Sequence, residues 1–382
     1  MKIIVSKSVL EAAVKNLCKV INPKNALPIL GDILFDVNEK AKTARLTSSD
    51  SEVTLSKEII LNECEGGGRF CVGATTLAAM LAEVGEQPVT ITATTESDQK
   101  FTMTYAQGSA FCPIENADEY PMPTHNEYYE TLEDINGEWL RDAIKRTLWA
   151  TSNDDLRPVM NGVNFALVDG CLDIVASNGH VMVKSSYSIH EEVEVSRCGS
   201  FIMPKQVAKL LSGIVEEGEF ADIAWNDSEA NINLIGYNID FRLIEGKYPK
   251  YNAIIPTEYA HEVSCSRTDL LSALKAVAPF APDSSQLLKM TFEGESLEVS
   301  GDNYDFSEGA KKSISTDAYD GDPLSIGVKS SSMINMLSKL STLEVLLKLN
   351  TPDRAIIIEP IDQSDDTDVE ITGLIMPMLI NE

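Results

Sequence analysis

The sequence predicts an α+β fold in which one unit, two helices packed on antiparallel strands, is repeated three times along the chain. Two observations carry that expectation. A helical stripe recurs every 130 residues, and alternating strand-like runs follow each copy in the same order. A third, a pair of Tyr-Pro stretches, marks where one unit ends and the next begins.

The stripe comes first. In SKSVLEAAVKNLCKVI (6–21), Val9, Leu10, Ala13, Val14, Leu17 and Ile21 share one face of a helix. Trp139, Leu140, Ala143, Ile144 and Leu148 repeat that face, and Leu270, Ala273, Leu274 and Val277 continue it. Ser6, Asn136 and Ser266 stand before the three copies as N-caps, because a short polar side chain there accepts from the unpaired N–H groups of the first turn. As a helix, the 16 residues of 6–21 would span about 24 Å.

The strands follow. GDILFDV (31–37), NGVNFAL (161–167) and KMTFEGE (289–295) alternate apolar with polar residues and put Phe35, Phe165 and Phe292 in register. A second helix recurs in GATTLAAMLAEV (73–84), PKQVAKLLSGI (204–214) and KSSSMINMLSKL (329–340). Each unit is expected to end in two alternating strands: VTITATT with KFTMTYA, ANINLIGY with DFRLIEG, and EVLLKLN with AIIIEP. EYPMP (119–123) and KYPKYNAIIP (247–256) cannot continue a helix and read as linkers. The expected domains are therefore 1–125, 126–255 and 256–382, each with about eight short strands. Such repeats leave an open strand edge at both ends of the chain. Head-to-tail pairing of those edges either closes a ring or grows a fibre, and the ring is the soluble outcome.

Charge sets a constraint on function. A net charge of −28 opposes binding to nucleic acid, since that affinity comes mostly from Lys and Arg neutralising phosphates. Yet Lys15, Lys145 and Lys275 occupy one position on the solvent side of the three first helices. Lys24, Arg141, Arg146 and Arg267 lie close by in sequence, and Lys205 begins a second helix. Helices lining a bore with these residues would touch phosphates without reading bases, in few and salt-sensitive contacts.

Other classes are disfavoured. No apolar run approaches the roughly 18 residues of a membrane span. Lys7, Glu11 and Lys15 stand where a signal peptide would be apolar. Seven scattered cysteines without a CxxC pair read as reduced thiols of a cytoplasmic protein. His125, His180, His190 and His261 are far apart in sequence and lack metal-ligand spacing. GRFCVGAT (68–75) resembles a phosphate loop but has Ala74 where Lys is needed. DQSDDTD (362–368) lacks the glycine and closing glutamate of a calcium loop. In SNGH (177–180), Ser and His three residues apart in a turn seldom align as nucleophile and base. No enzyme, cofactor or metal site is expected.

Five segments in order, LPILGDILF (27–35), DLRPVMNGVNF (155–165), VASNGHVMV (175–183), EGKYPKYNAIIP (245–256) and IMPM (375–378), resemble the bacterial DNA sliding clamps. The resemblance covers the whole chain. It implies two chains in a head-to-tail, six-domain ring around duplex DNA, with no bound cofactor. It also implies partners: the replicative polymerase alpha subunit, an ATP-driven clamp loader, and other polymerases and repair proteins that bring short linear motifs. The matching peptide pocket is Met160, Ser177, Gly179, His180, Val181, Met182, Pro249, Ile254, Leu374, Met376, Pro377 and Met378. Val181 and Ala253 stand where the family commonly has basic residues, and the chain ends two residues later than usual, in LINE. Lys24 matches a basic DNA contact, whereas Pro158 and Val159 replace aromatic residues of some members. The subunit seam implied is Phe280 against the region of Ala110 and Cys112. The competing reading is a repeat-built scaffold that never encircles DNA. Lysines aligned across all three units favour the clamp.

Overall fold

A computed structural model describes residues 1–94, 99–123, 127–189, 199–303, 307–361 and 369–380. His125, His190, the 362–368 segment and the final Asn381 and Glu382 lie outside the described residues. The chain divides into two compact bodies, one holding Met1–Leu140 and Leu210–Leu243, the other most of the rest from Arg141 onward.

The first repeat runs β1 (Lys2–Ser6), α1 (Lys7–Leu17), β2 (Asp32–Asn38), β3 (Thr43–Ser49), β4 (Val53–Ile60), β5 (Glu63–Glu65), β6 (Gly68–Gly73), α2 (Ala74–Ala82), β7 (Pro88–Thr94), β8 (Lys100–Tyr105) and β9 (Gly108–Pro113). The second runs β10 (Glu130–Asn136), α3 (Gly137–Thr147), β11 (Gly162–Val168), β12 (Cys171–Ser177), β13 (Val181–Ser188), β14 (Ser200–Pro204), α4 (Lys205–Leu211), β15 (Phe220–Trp225), β16 (Glu229–Leu234) and β17 (Tyr237–Arg242). The third runs β18 (His261–Ser266), α5 (Arg267–Val277), β19 (Leu287–Asn303), β20 (Glu308–Lys329), α6 (Ser330–Ser338), β21 (Glu344–Leu349), β22 (Ile356–Pro360) and β23 (Val369–Ile375).

The three first helices are copies of one another. Each has 11 residues. Each buries its fourth, seventh, eighth and eleventh residue: Leu10, Ala13, Val14 and Leu17, then Leu140, Ala143, Ile144 and Thr147, then Leu270, Ala273, Leu274 and Val277. That spacing is one face of a 3.6-residue period. Thr147, the odd member, satisfies its hydroxyl by donating to Ala143 O at 2.9 Å. The helices are shorter than the 6–21 stripe implied, about 17 Å rather than 24 Å. After Leu17 the chain tightens, with Lys19 N donating to Asn16 O and Val20 N to Leu17 O, so Ile21 lies beyond the helix, and Val9 is exposed. Asn136 and Ser266 cap as expected, accepting from Trp139 N at 2.9 Å and Asp269 N at 3.2 Å. Ser6 does not cap; its hydroxyl donates to Glu86.

The phenylalanines in register are all buried, Phe35 stacked on Phe70 at 4.9 Å and Phe165 on Phe201 at 4.8 Å. The ends of the repeats differ from expectation. Each closes with three meandering strands rather than two: β7–β9, β15–β17 and β21–β23. In the third repeat two long strands bend near Gly294, where the pairing slips register and φ is +57°, so six strands stand in for the eight of the second.

Sheet pairing joins the repeats. The last strand of the second meander, β17, pairs antiparallel with β4, from Tyr237 opposite Lys57 to Phe241 opposite Val53. The Lys57 ammonium sits 3.8 Å above the Tyr237 ring, and Asn16 of α1 donates to the Tyr237 hydroxyl at 2.7 Å. Likewise β23 pairs with β13, from Val181 opposite Ile375 to Tyr187 opposite Val369. The 308–315 stretch of β20 folds back on β19 as β4 does on β3 and β13 on β12. Among the described residues, β9 and this stretch of β20 have a strand on one side only.

Asp32, at the start of β2, is half-buried; burial first, and then the Glu115 carboxylate, push it up to about 6. A carboxylate with a raised folded-state pKa favours the fold below its unfolded pKa, near 4, and loses that contribution as pH rises through 6. Asp32→Asn is therefore expected to stabilise the chain above pH 7, by about 1 kcal/mol after solvent screening, and to be neutral at pH 4. Urea midpoints at the two pH values measure this.

Candidate functional site

Part of the expected pocket set, centred on Met182 and Leu374, lies where β13 and β23 run side by side, in one apolar cluster with residues of the 245–256 linker. Met182 pairs with Leu374 and Val181 with Ile375. Strand alternation sends each pair to opposite faces. Met182 and Leu374 are buried with Val175, Tyr248 and Tyr251, and Val159 and Ile255 pack against them. Val181 and Ile375 instead join the core beneath α5 and α6. Val181 is thus a core residue and not a pocket wall. Met182 and Leu374 form a floor; strand alternation puts His180 and Met376 on the same face, and Ile254 of the linker is open to solvent, Ile254 53% and Met376 43% exposed.

Local hydrogen bonds hold these positions. The Ser177 hydroxyl donates to Val181 O at 2.8 Å and accepts from Gly179 N, so it is a turn element rather than half of a Ser/His pair. Gly179 has φ +90°, and a Cβ there would meet Arg157 Nη1 at 3.0 Å. Met376 N donates to His180 O at 2.8 Å, setting the two exposed side chains beside, not opposite, each other. Met160 is buried in the turn that precedes β11, and Pro249 is exposed on the linker. Beyond Met376 the chain turns away. Met378 N donates to Gly327 O at 2.8 Å, and Pro377 and Met378, with Leu379, Ile380 and Pro352, line a separate cavity of about 880 Å³.

Burial of Asp173 anchors the linker over this floor. Its carboxylate accepts from Tyr251 Oη at 2.7 Å and Ser186 Oγ at 2.5 Å. Tyr251 opens the short turn that ends in Ile254. Composition and spacing gave no signal for this pairing, which joins residues 78 apart in sequence.

On the helices, Lys15, Lys145 and Lys275 are each the ninth of 11 residues, and all three are exposed. None has an ion-pair partner among the described residues. Lys24 is exposed as well. The other expected phosphate contacts are occupied. Arg141 pairs with Asp142 at 3.0 Å, Arg146 is half-buried and donates to Ser185 Oγ, and Lys205 donates to Asn153 Oδ1. Arg267 donates to Thr342 O and Leu337 O, closing the end of α6. At the expected seam, Phe280 is half-buried, but alternation along β9 turns Cys112 inward, where burial raises its thiol pKa. The outward residue is Phe111, 66% exposed with the Lys100 ammonium 4.0 Å from its ring. Ala110 is intermediate.

Three family models match the chain in succession: the N-terminal domain of the DNA polymerase III beta subunit over residues 1–124, its central domain over 134–250 and its C-terminal domain over 252–379. The chain belongs to the DNA polymerase III beta-subunit family. Curated beta sliding clamps align along nearly all of it: that of Halalkalibacterium halodurans is 22% identical, covering 95% of this chain and 96% of its own, and that of Bacillus subtilis 23% identical, covering 99% of each. A sliding clamp structure from Pseudomonas aeruginosa superposes with a TM-score of 0.90 at 20% identity, covering all of both chains, and one from Bacillus subtilis with 0.89 at 20%, also over both full lengths. Beta-subunit architecture thus matches the three-repeat organisation read from the sequence. No helix among the described residues is long and apolar enough to cross a membrane.

Asp173→Ala is expected to leave two buried hydroxyls unpaired, at a cost of about 1–3 kcal/mol for each. It should also loosen the 251–254 turn. Hydrogen exchange of that turn should accelerate; unchanged exchange would mean that packing alone holds it.

Proposed function

We propose that this chain works as a DNA sliding clamp: a non-catalytic ring of two copies that encircles duplex DNA and tethers the replicative polymerase alpha subunit. A clamp loader would open it, and other polymerases and repair proteins would share it through short linear motifs, in the cytoplasm. The observation that carries the reading is an exposed lysine, without an ion-pair partner among the described residues, at the ninth position of three equivalent helices in a chain of −28 net charge. Acidic surroundings keep free affinity for DNA low, while three cations repeated in each copy give a bore some attraction to phosphate. Weak contacts with backbone only suit sliding, and closure supplies the retention that affinity does not.

Two copies close by the rule that joins the repeats within one. If β17 on β4 and β23 on β13 are two such joints, β9 of one copy on the 308–315 stretch of the other is the third. Phe111 then takes the place of Asp240 in β17, which lies opposite Thr54. Phe111→Pro, which removes a backbone N–H and does not fit inside a sheet, is expected to weaken this seam and shift the sedimenting mass from about twice 41.8 kDa toward 41.8 kDa at micromolar concentration.

The pocket reading makes Ile254 and Met376 the accessible anchors for a partner's apolar side chains, each burial worth about 1.5–3 kcal/mol at most. Ile254→Ala and Met376→Ala should each weaken a labelled peptide carrying leucine and phenylalanine anchors by about 1–2 kcal/mol, with ring mass unchanged. Fluorescence anisotropy beside sedimentation reads both; undiminished binding would move the pocket elsewhere.

The function itself is tested by topology. Loaded on nicked circles, the protein should resist salt and leave when the circle is cut, while binding to short linear duplex stays weak and fades with salt. Lys15→Glu with Lys145→Glu and Lys275→Glu should impair loading or sliding without dissociating the ring. Equal retention on linear and circular DNA would refute the clamp and favour a scaffold.

A further inference from the structure

Beyond the pocket, the same face of the sheet carries a second groove, of about 560 Å³, between β11, β14 and the linker. At its floor lies Asn164, 2% exposed, whose Oδ1 has no hydrogen-bond partner among the described residues. Its cross-strand neighbours, Val175 and Ile202, belong to the apolar cluster that also holds Met182 and Leu374. A buried amide carbonyl left unpaired is costly. The internal repeats show how unusual it is here. The first repeat has Leu34 at this position, sealed against Ala117 and Tyr120 of its own linker, and the third has Thr291, paired with Ser325 at 3.0 Å. Only the second repeat puts an unpaired acceptor there. Lys247 and Lys250 stand exposed at the groove's edge, neither with an ion-pair partner among the described residues.

We propose that this groove is an extension of the peptide pocket that takes an acidic segment flanking a partner's apolar motif. The inference rests on the pocket reading above. Pro249 lines the groove and is among the residues assigned to the pocket, so a chain leaving the pocket across Pro249 enters the groove. A peptide backbone brings the N–H that Asn164 Oδ1 lacks, and carboxylates beside it meet the two ammonium groups. In so acidic a protein, two unpaired lysines beside an apolar groove select for negative charge. The groove would thereby rank partners that share the same apolar anchors.

The test uses the full chain and three peptides in calorimetry at low salt: anchors alone, anchors with an Asp/Glu flank, and anchors with an Asn/Gln flank. The flank is placed on each side in turn. The acidic flank should tighten binding about fivefold over the amide flank, a gain that fades with salt. Lys247→Ala with Lys250→Ala should remove that gain and leave the anchors-only peptide unchanged. Asn164→Leu, which restores the residue of the first repeat, should weaken both flanked peptides about threefold and spare the anchors-only peptide. A flank that adds nothing, or a gain that survives in the lysine variant, overturns the proposal. So does loss of DNA retention in that variant with peptide affinities intact, which would assign the lysines to phosphate. If the anchors-only peptide fails to bind, the pocket reading falls by itself. Zero-length carbodiimide coupling of an acidic peptide to Lys247 or Lys250 then decides the groove alone: coupling that Asn164→Leu reduces supports it, and no coupling overturns it.

Discussion

A strand at the edge of a sheet presents backbone N–H and C=O groups that must pair with something, and this constraint organises the chain. Each repeat ends its meander with such an edge. Two of the three edges are satisfied inside the molecule, β17 by β4 and β23 by β13. The pairing is non-specific in its backbone chemistry, so register comes from side chains: Lys57 over Tyr237 at the first joint, and at the second the alternation that divides Val181 and Met182 between two cores. The joints therefore do more than connect. The second brings Met182 and Leu374 together, the floor of the proposed pocket, because β13 and β23 pair in that register.

The helices answer a different constraint. A stripe at the fourth, seventh, eighth and eleventh positions buries one face of each first helix and leaves the ninth residue exposed. Repetition of the fold then repeats the lysine, so one helical pattern places an exposed cation at the same position three times. Net charge and local charge are thus opposed: the chain carries −28 overall, yet each first helix exposes a lysine at its ninth position.

Much of this was legible in the sequence, because repeated patterns test themselves. The helical stripes, the buried phenylalanines and the second helices of all three repeats lie where periodicity put them. Helix ends were less legible, since Val9 and Ile21 extend the apolar pattern past the point where the backbone tightens after Leu17. Of the candidate site, which residues lie near one another in the chain was readable, and which way each side chain faces was not. Val181 and Cys112 are adjacent in sequence to the residues that are exposed or floor-forming, and only the strand register decides which of two neighbours faces the core. The Asp173 to Tyr251 bond and the unpaired Asn164 are long-range or negative features that no local pattern announces.

The central claim is that one kind of joint, edge strand on edge strand, links repeats within the chain and copies between chains. Amide hydrogen exchange tests it most directly, read for β9 and for residues 308–315 as protein concentration is lowered. The account predicts protection matching that of β17 and β4 at micromolar concentration, lost together in both segments on dilution through the dimer dissociation range. Rapid exchange of both segments at every concentration, with β17 and β4 protected throughout, would contradict it.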